Sequence, residues 1–236
     1  MFWLWLAGCV AHHRAPADPF AGALSAADEA WGHRAESGGL DAAERAYTAL
    51  LAERPGAPEV LWRLARLQWS HALIDPAHAG EWHEAGREFA LRCVAADPAL
   101  AEALATAGDR LSTATLAIST APAQCLVFGA AHIVALVEAR GPGAALDLED
   151  ALPLAARAAQ AGPAVEPALR SWALGRAGVL MGSNPGESRD AMRTAVALAP
   201  GLRFFRDEAV SAFPDLAESF DAFVPAPGWT LENGGD

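Results

Sequence analysis

At 236 residues, 53% of them apolar, the chain is long enough to bury a full core as one domain. Its 17 Lys+Arg against 29 Asp+Glu leave a net charge of −12. That balance excludes nucleic acid and anionic membrane surfaces as partners, because both select clustered cations.

The 17 cations are all arginine and nowhere form a run. No apolar run reaches the ~20 residues expected of a membrane-spanning helix. Alanine pervades the chain, β-branched residues are sparse, and no stretch alternates in the manner of a strand. An all-α fold is therefore predicted.

The chain begins MFWLWLAGCVAHHR, which admits three readings: a buried core segment, a clipped membrane helix, or the end of a lipoprotein export signal. The third fits best. LAGC places small residues before a cysteine where a signal peptidase accepts them, and the thiol is the group that takes diacylglycerol. An export signal ordinarily opens with a basic stretch; none is here, so the start is expected upstream of Met1. Residues 1–9 are read as the signal segment, Cys9 as the lipidation site, and 10–22, with His12 and His13, as a flexible tether. Valine rather than aspartate follows Cys9, so nothing retains the anchor at an inner membrane. The expected location is the bacterial envelope at the outer membrane, facing the periplasm, with membrane contact through the lipid alone. Three cysteines are awkward in an oxidising compartment. With Cys9 lipidated, Cys93 and Cys125 remain, either as a disulfide or as two buried thiols.

Residues 23–224 are predicted to form one helical-repeat domain, followed by a tail over 225–236. Four prolines are each preceded by the same spacing of small or apolar residues. The sets are Ala43, Tyr47, Leu50 and Pro55; Gly86, Ala90, Cys93 and Pro98; Ala151, Ala155, Ala158 and Pro163; and Ser188, Met192, Ala195 and Pro200. This is the second helix of a tetratricopeptide-type hairpin, where small residues let two helices approach and proline stops the helix. First helices are visible in EVLWRLARLQWSHAL, with Trp62, Ala65 and Trp69 on one apolar face, and in EPALRSWALGRAGVL, with Trp172 and Gly175. The prolines are separated by 43, 65 and 37 residues, not the regular ~34. The array is thus expected to be irregular, with ALAEALATAGDRL and QCLVFGAAHIVALVEARG filling the longest gap. In this register Cys93 occupies the slot of Leu50, Ala158 and Ala195, so it is expected to be a buried free thiol.

No phosphate-binding glycine loop, CxxC, HExxH or GxSxG occurs. His71, Asp75, His78, Glu81, His83 and Glu84 are the one concentration of metal-ligand types. Zinc-binding helices pair histidines at i and i+4, whereas His78 and His83 are five apart and Pro76 intervenes, so a polar inter-helix loop is predicted. His132, alone in an apolar helix, reads as a satisfied core residue. Asp147, Glu149 and Asp150 open a helix at the positive end of its dipole.

From about residue 123 to 213 the chain resembles the T component associated with TRAP transporters (the TatT family of periplasmic lipoproteins). The stretches that carry the resemblance are CLVFGAAHIVALVEAR, LDLEDALPLAARAAQAGPAVEP, GSNPGESRDAMRTAVALAP and LRFFRDEAVSAF. After SFDAFV the chain departs from that pattern with PAPGWTLENGGD in place of a longer terminal helix, which leaves a homo-oligomer open. The missing catalytic and metal-ligand motifs argue against an enzyme, a cofactor or a metal, and the resemblance implies an accessory protein. It also implies a protein partner, the solute-binding receptor of a TRAP-type uptake system. Two alternatives stand beside it: a carrier of a small apolar or organic-acid ligand in a helical cavity, and a cytoplasmic scaffold.

The partner surface is expected on the inner face of the first helices. Arg63, Leu67 and Ser70 share one side of their helix by spacing, and Arg170, Ala173 and Ala177 take the equivalent places in the last hairpin. Two groove arginines in an acidic protein would suit a carboxylate.

Overall fold

A computed structural model describes residues 18–107, 114–115, 122–141, 147–161 and 166–220. Their helices are α1 (Pro19–Gly32), α2 (Gly39–Glu53), α3 (Pro58–Ile74), α4 (Ala79–Ala95), α5 (Pro98–Ala107), α6 (Ala123–Arg140), α7 (Leu148–Ala161), α8 (Pro167–Leu180), α9 (Pro185–Leu198), α10 (Arg203–Ala212) and the short α11 (Ala217–Phe220). The fold is all-α: an irregular array of antiparallel helical hairpins, α1/α2, α3/α4, α6/α7 and α8/α9, closed by α10 and α11. Cys9, most of the expected tether and the tail over 225–236 lie outside the described residues. The last part of that tether is helix instead. Asp18 caps α1 by accepting from the Phe20 amide at 3.0 Å, Pro19 supplies the first turn, and Phe20 is buried.

Proline sets the helix starts as much as their ends. Pro19, Pro58, Pro167 and Pro185 each open a helix, where a missing N–H costs nothing. Pro55 and Pro200 follow α2 and α9, whereas Pro98 heads α5 after α4 has stopped at Ala95. The small-residue register holds in all four second helices, while Pro163 lies outside the described residues. Each small or apolar slot of α2, α4, α7 and α9, from Ala43 to Ala195, is buried. Tight approach is clearest between α8 and α9, where a Cβ on Gly175 would lie 2.8 Å from the Ser188 carbonyl oxygen.

The core has two parts. A smaller cluster under the first hairpin holds Phe20, Trp31, Tyr47, Val60, Leu64 and Leu67. The larger surrounds α6, which packs against α3, α4, α7 and α8. Helix α6 is long and apolar enough to cross a membrane by length and composition, with a mean hydropathy of 1.3 over 18 residues. This corrects the expectation that no segment would be. Most of it is buried by its neighbours.

The structure also corrects Cys93. It is bonded to Cys125 at the start of α6, with the two Cα atoms 5.8 Å apart. The slot was read correctly, since Cys93 is fully buried. What faces it from α6 is a second cysteine rather than an inert side chain.

Candidate functional site

Helix α3 decides where a ligand can reach. Leu61, Ala65 and Trp69 enter the larger core, while Val60, Leu64 and Leu67 enter the smaller one. With two faces covered, the stripe left half-buried is Trp62, Arg63, Arg66 and Ser70. Leu67 is therefore core and not groove, and so are Ala173 and Ala177 of α8. Trp62, expected in the core, lies only half-buried beneath the guanidinium groups of Arg63 and Arg66, at 4.3 and 5.0 Å from its ring centre. Arg63 belongs to the fold. It meets Asp28 of α1 through two hydrogen bonds of 2.6 and 2.7 Å, donates to the Glu59 carbonyl, and shares Asp28 with the Tyr47 hydroxyl. Burial opposes the charge on Asp28, but the bonds from Arg63 and Tyr47 outweigh it and hold the carboxyl below its usual range. Arg170 is half-buried on α8 and does not line the cleft described next; of the six expected surface residues only Ser70 does.

A cleft of about 190 Å³ opens where the first helices of all four hairpins meet. Trp31 and Arg34 come from the end of α1 and the residues after it, Arg66, Trp69 and Ser70 from α3, Phe128 from α6, and Glu166 and Leu169 from the start of α8. Leu198 and Phe205 close the far side, and Leu198 is half exposed to solvent. Arg66 is its chemical centre. Its guanidinium lies 4.0 Å from the centre of the Trp31 ring, an arrangement that orients the cation without neutralising it. Among the described residues no carboxylate pairs with Arg66, and its Nε is buried with nothing to accept its proton. Trp31 Nε1 is orphaned in the same way. Burial lowers the pKa of Arg66 from its ordinary value. Glu166 is the one residue other than glycine with positive φ among the described residues, at +42°. Burial raises its pKa, against the pull of Arg66 and Arg34. The cleft is thus an apolar-walled site with donors in excess of acceptors.

Behind Trp69 lies a second polar feature that sequence reading missed. His83, expected in a loop, sits inside α4 and is buried against His132 of α6. The His132 Nε2–H donates to the Ala65 carbonyl at 3.0 Å, so its Nδ1 accepts from the His83 Nδ1–H, also at 3.0 Å. Trp69 packs on both rings, at 5.0 and 5.5 Å between centres. His132 is the satisfied core residue expected. His71 instead bonds Glu44 of α2 and stacks on Trp82, while His78 pairs with Asp75 beside it. Asp41, Glu44 and His71 place ligand atoms within 4.8 Å of one another, but both Glu44 oxygens are engaged, by Gln68 and His71.

The histidine pair has a consequence for pH. Burial pushes His83 down to about 4, and burial together with the neighbouring His83 pushes His132 down to about 3. Unfolded histidine titrates near 6.5, so below that pH the unfolded chain binds protons that the folded one refuses. Stability is full above ~6.5 and falls as pH drops, by about 2 kcal/mol per histidine at pH 5. His33 and His78, raised by their carboxylate partners, and Glu166 and Glu208, raised by burial, act in the opposite sense. Urea unfolding is expected to show a net loss of stability from pH 7 to pH 5; a flat profile would mean the pair is not held neutral.

The signal for Arg66 was present: Arg63, Arg66 and Ser70 follow i, i+3, i+7 as regularly as the triad chosen. Nothing in the sequence distinguishes Glu166, whose role depends on the backbone turn before α8. Neither a family model nor a curated protein matches this chain.

Proposed function

We propose that this chain is a non-enzymatic accessory protein of the bacterial envelope, anchored through Cys9, whose helical array binds a partner protein. The partner proposed is the solute-binding receptor of a TRAP-type uptake system, as the resemblance over residues 123–213 implies. The observation that carries a binding role is the cleft to which the first helices of all four hairpins contribute. Helical-repeat arrays present that side to their ligands, because stacking does not use it. Leu198, apolar and half exposed beside the cleft, supplies an anchor for a partner surface. The Cys93–Cys125 disulfide supports an oxidising compartment and weighs against a cytoplasmic scaffold.

The test is capture of the candidate receptor by the purified chain and by a Leu198→Glu variant of unchanged melting temperature. Capture by the first and at least tenfold weaker capture by the second is expected; equal capture by both would remove this surface. For the anchor, a palmitate analogue fed to cells expressing the gene should label the protein, and equal labelling of Cys9→Ser would defeat the assignment.

A further inference from the structure

We infer that the cleft is a binding site for a small free carboxylic acid carrying one aromatic ring or a branched apolar body. This deepens the binding role proposed above and rests on the same cleft, but needs no partner protein. Three observations converge.

The first is size. At about 190 Å³ the cleft is below the ~300–1,000 Å³ of sites for drug-sized ligands. It exceeds the ~150 Å³ that holds benzene in an apolar cavity, so a ring and a carboxyl group fit and little more does.

The second is the wall. Trp31, Trp69, Phe128, Leu169 and Phe205 offer flat or branched apolar contact, which a hydrophilic anion would not use.

The third is charge. Among the described lining residues Arg66 faces one carboxyl, Glu166, whose pKa burial raises. Among the described residues Arg66 has no hydrogen-bond acceptor and no ion-pair partner. An arginine fork matches the two oxygens of a carboxylate. Sandwiched against Trp31 and Trp62, this guanidinium is already ordered, so less side-chain entropy is lost when a ligand arrives. Glu166 opposes an incoming carboxylate, and its removal should tighten binding.

The probe is phenylacetate, with phenylacetamide as its uncharged match, titrated into the full chain by calorimetry and tryptophan fluorescence. Saturable binding of the acid is expected, at least tenfold tighter than the amide. Arg66→Met should weaken the acid at least tenfold while leaving the amide unchanged, and Glu166→Gln should tighten the acid several-fold. No saturable binding of the acid, equal affinity for acid and amide, or an Arg66→Met variant that binds as well as the parent would each overturn the site. If Arg66→Met does not fold, Glu166→Gln decides, and unchanged or weaker binding of the acid counts against the proposal. Acid binding without receptor capture would retire the partner reading alone, whereas capture without acid binding would retire this one alone.

Discussion

Gly86→Ala is expected to cost about 3–5 kcal/mol, more than a single methyl group ordinarily does. A Cβ at that position would stand 2.2 Å from two atoms of the His132 ring. The ring cannot simply turn aside, because one nitrogen donates to Ala65 and the other accepts from His83. Overpacking alone costs about 1–3 kcal/mol, and each buried hydrogen bond that is broken leaves a polar group unpaired at about 1–3 kcal/mol more. Urea unfolding at pH 7 measures the loss. A cycle with His132→Ala identifies its source, since the ring that clashes is then gone and the two penalties should not add. Full additivity would place the damage elsewhere.

Removing the disulfide with Cys93→Ala and Cys125→Ala is expected to lower stability by about 3–4 kcal/mol. The bridge spans a sequence separation of 32 residues, and the chain-entropy relation assigns roughly that value to a loop of this length. For a domain of this size the melting temperature should fall by on the order of 10 °C. Intact protein should gain the mass of two protons on reduction. Identical masses before and after reduction would show that the thiols are free, and the double variant should then unfold with the parent.

The parts of the fold legible in the sequence are those that one helix decides for itself. The slots of Ala43, Gly86, Ala151 and Ser188 could be placed because a small residue at a close crossing is required whatever lies opposite. The partner surface could not. Periodicity divides a helix into faces but does not say how many of them neighbours cover, and α3 is covered on two. Leu67 therefore went into the core while Arg66, one residue earlier, became the centre of the cleft. Cys93 failed for a related reason, since equivalence with Leu50 and Ala195 describes the slot and is silent about Cys125 across it. Arg63 showed the proper residue type on the proper side, but Asp28, 35 positions away, claims it. His83 was hidden by Pro76, which ends one helix without preventing the next from starting at Ala79.

Helix α6 gives the array a different kind of cooperativity from that of a stack of independent repeats. In a solenoid each unit leans on the next, so pieces can melt or be deleted from one end. Here a segment from the middle of the chain is enclosed by helices from before and after it, α3 and α4 on one side and α7 and α8 on the other. The second hairpin, α3/α4, must wait for Ala123–Arg140 to be synthesised before its inner face and the Cys93–Cys125 disulfide are completed. Until then a nascent chain carries an open apolar trough. Neither half is a module that can be exchanged, and evolution can lengthen this protein at its ends far more readily than it can insert or remove a hairpin within it.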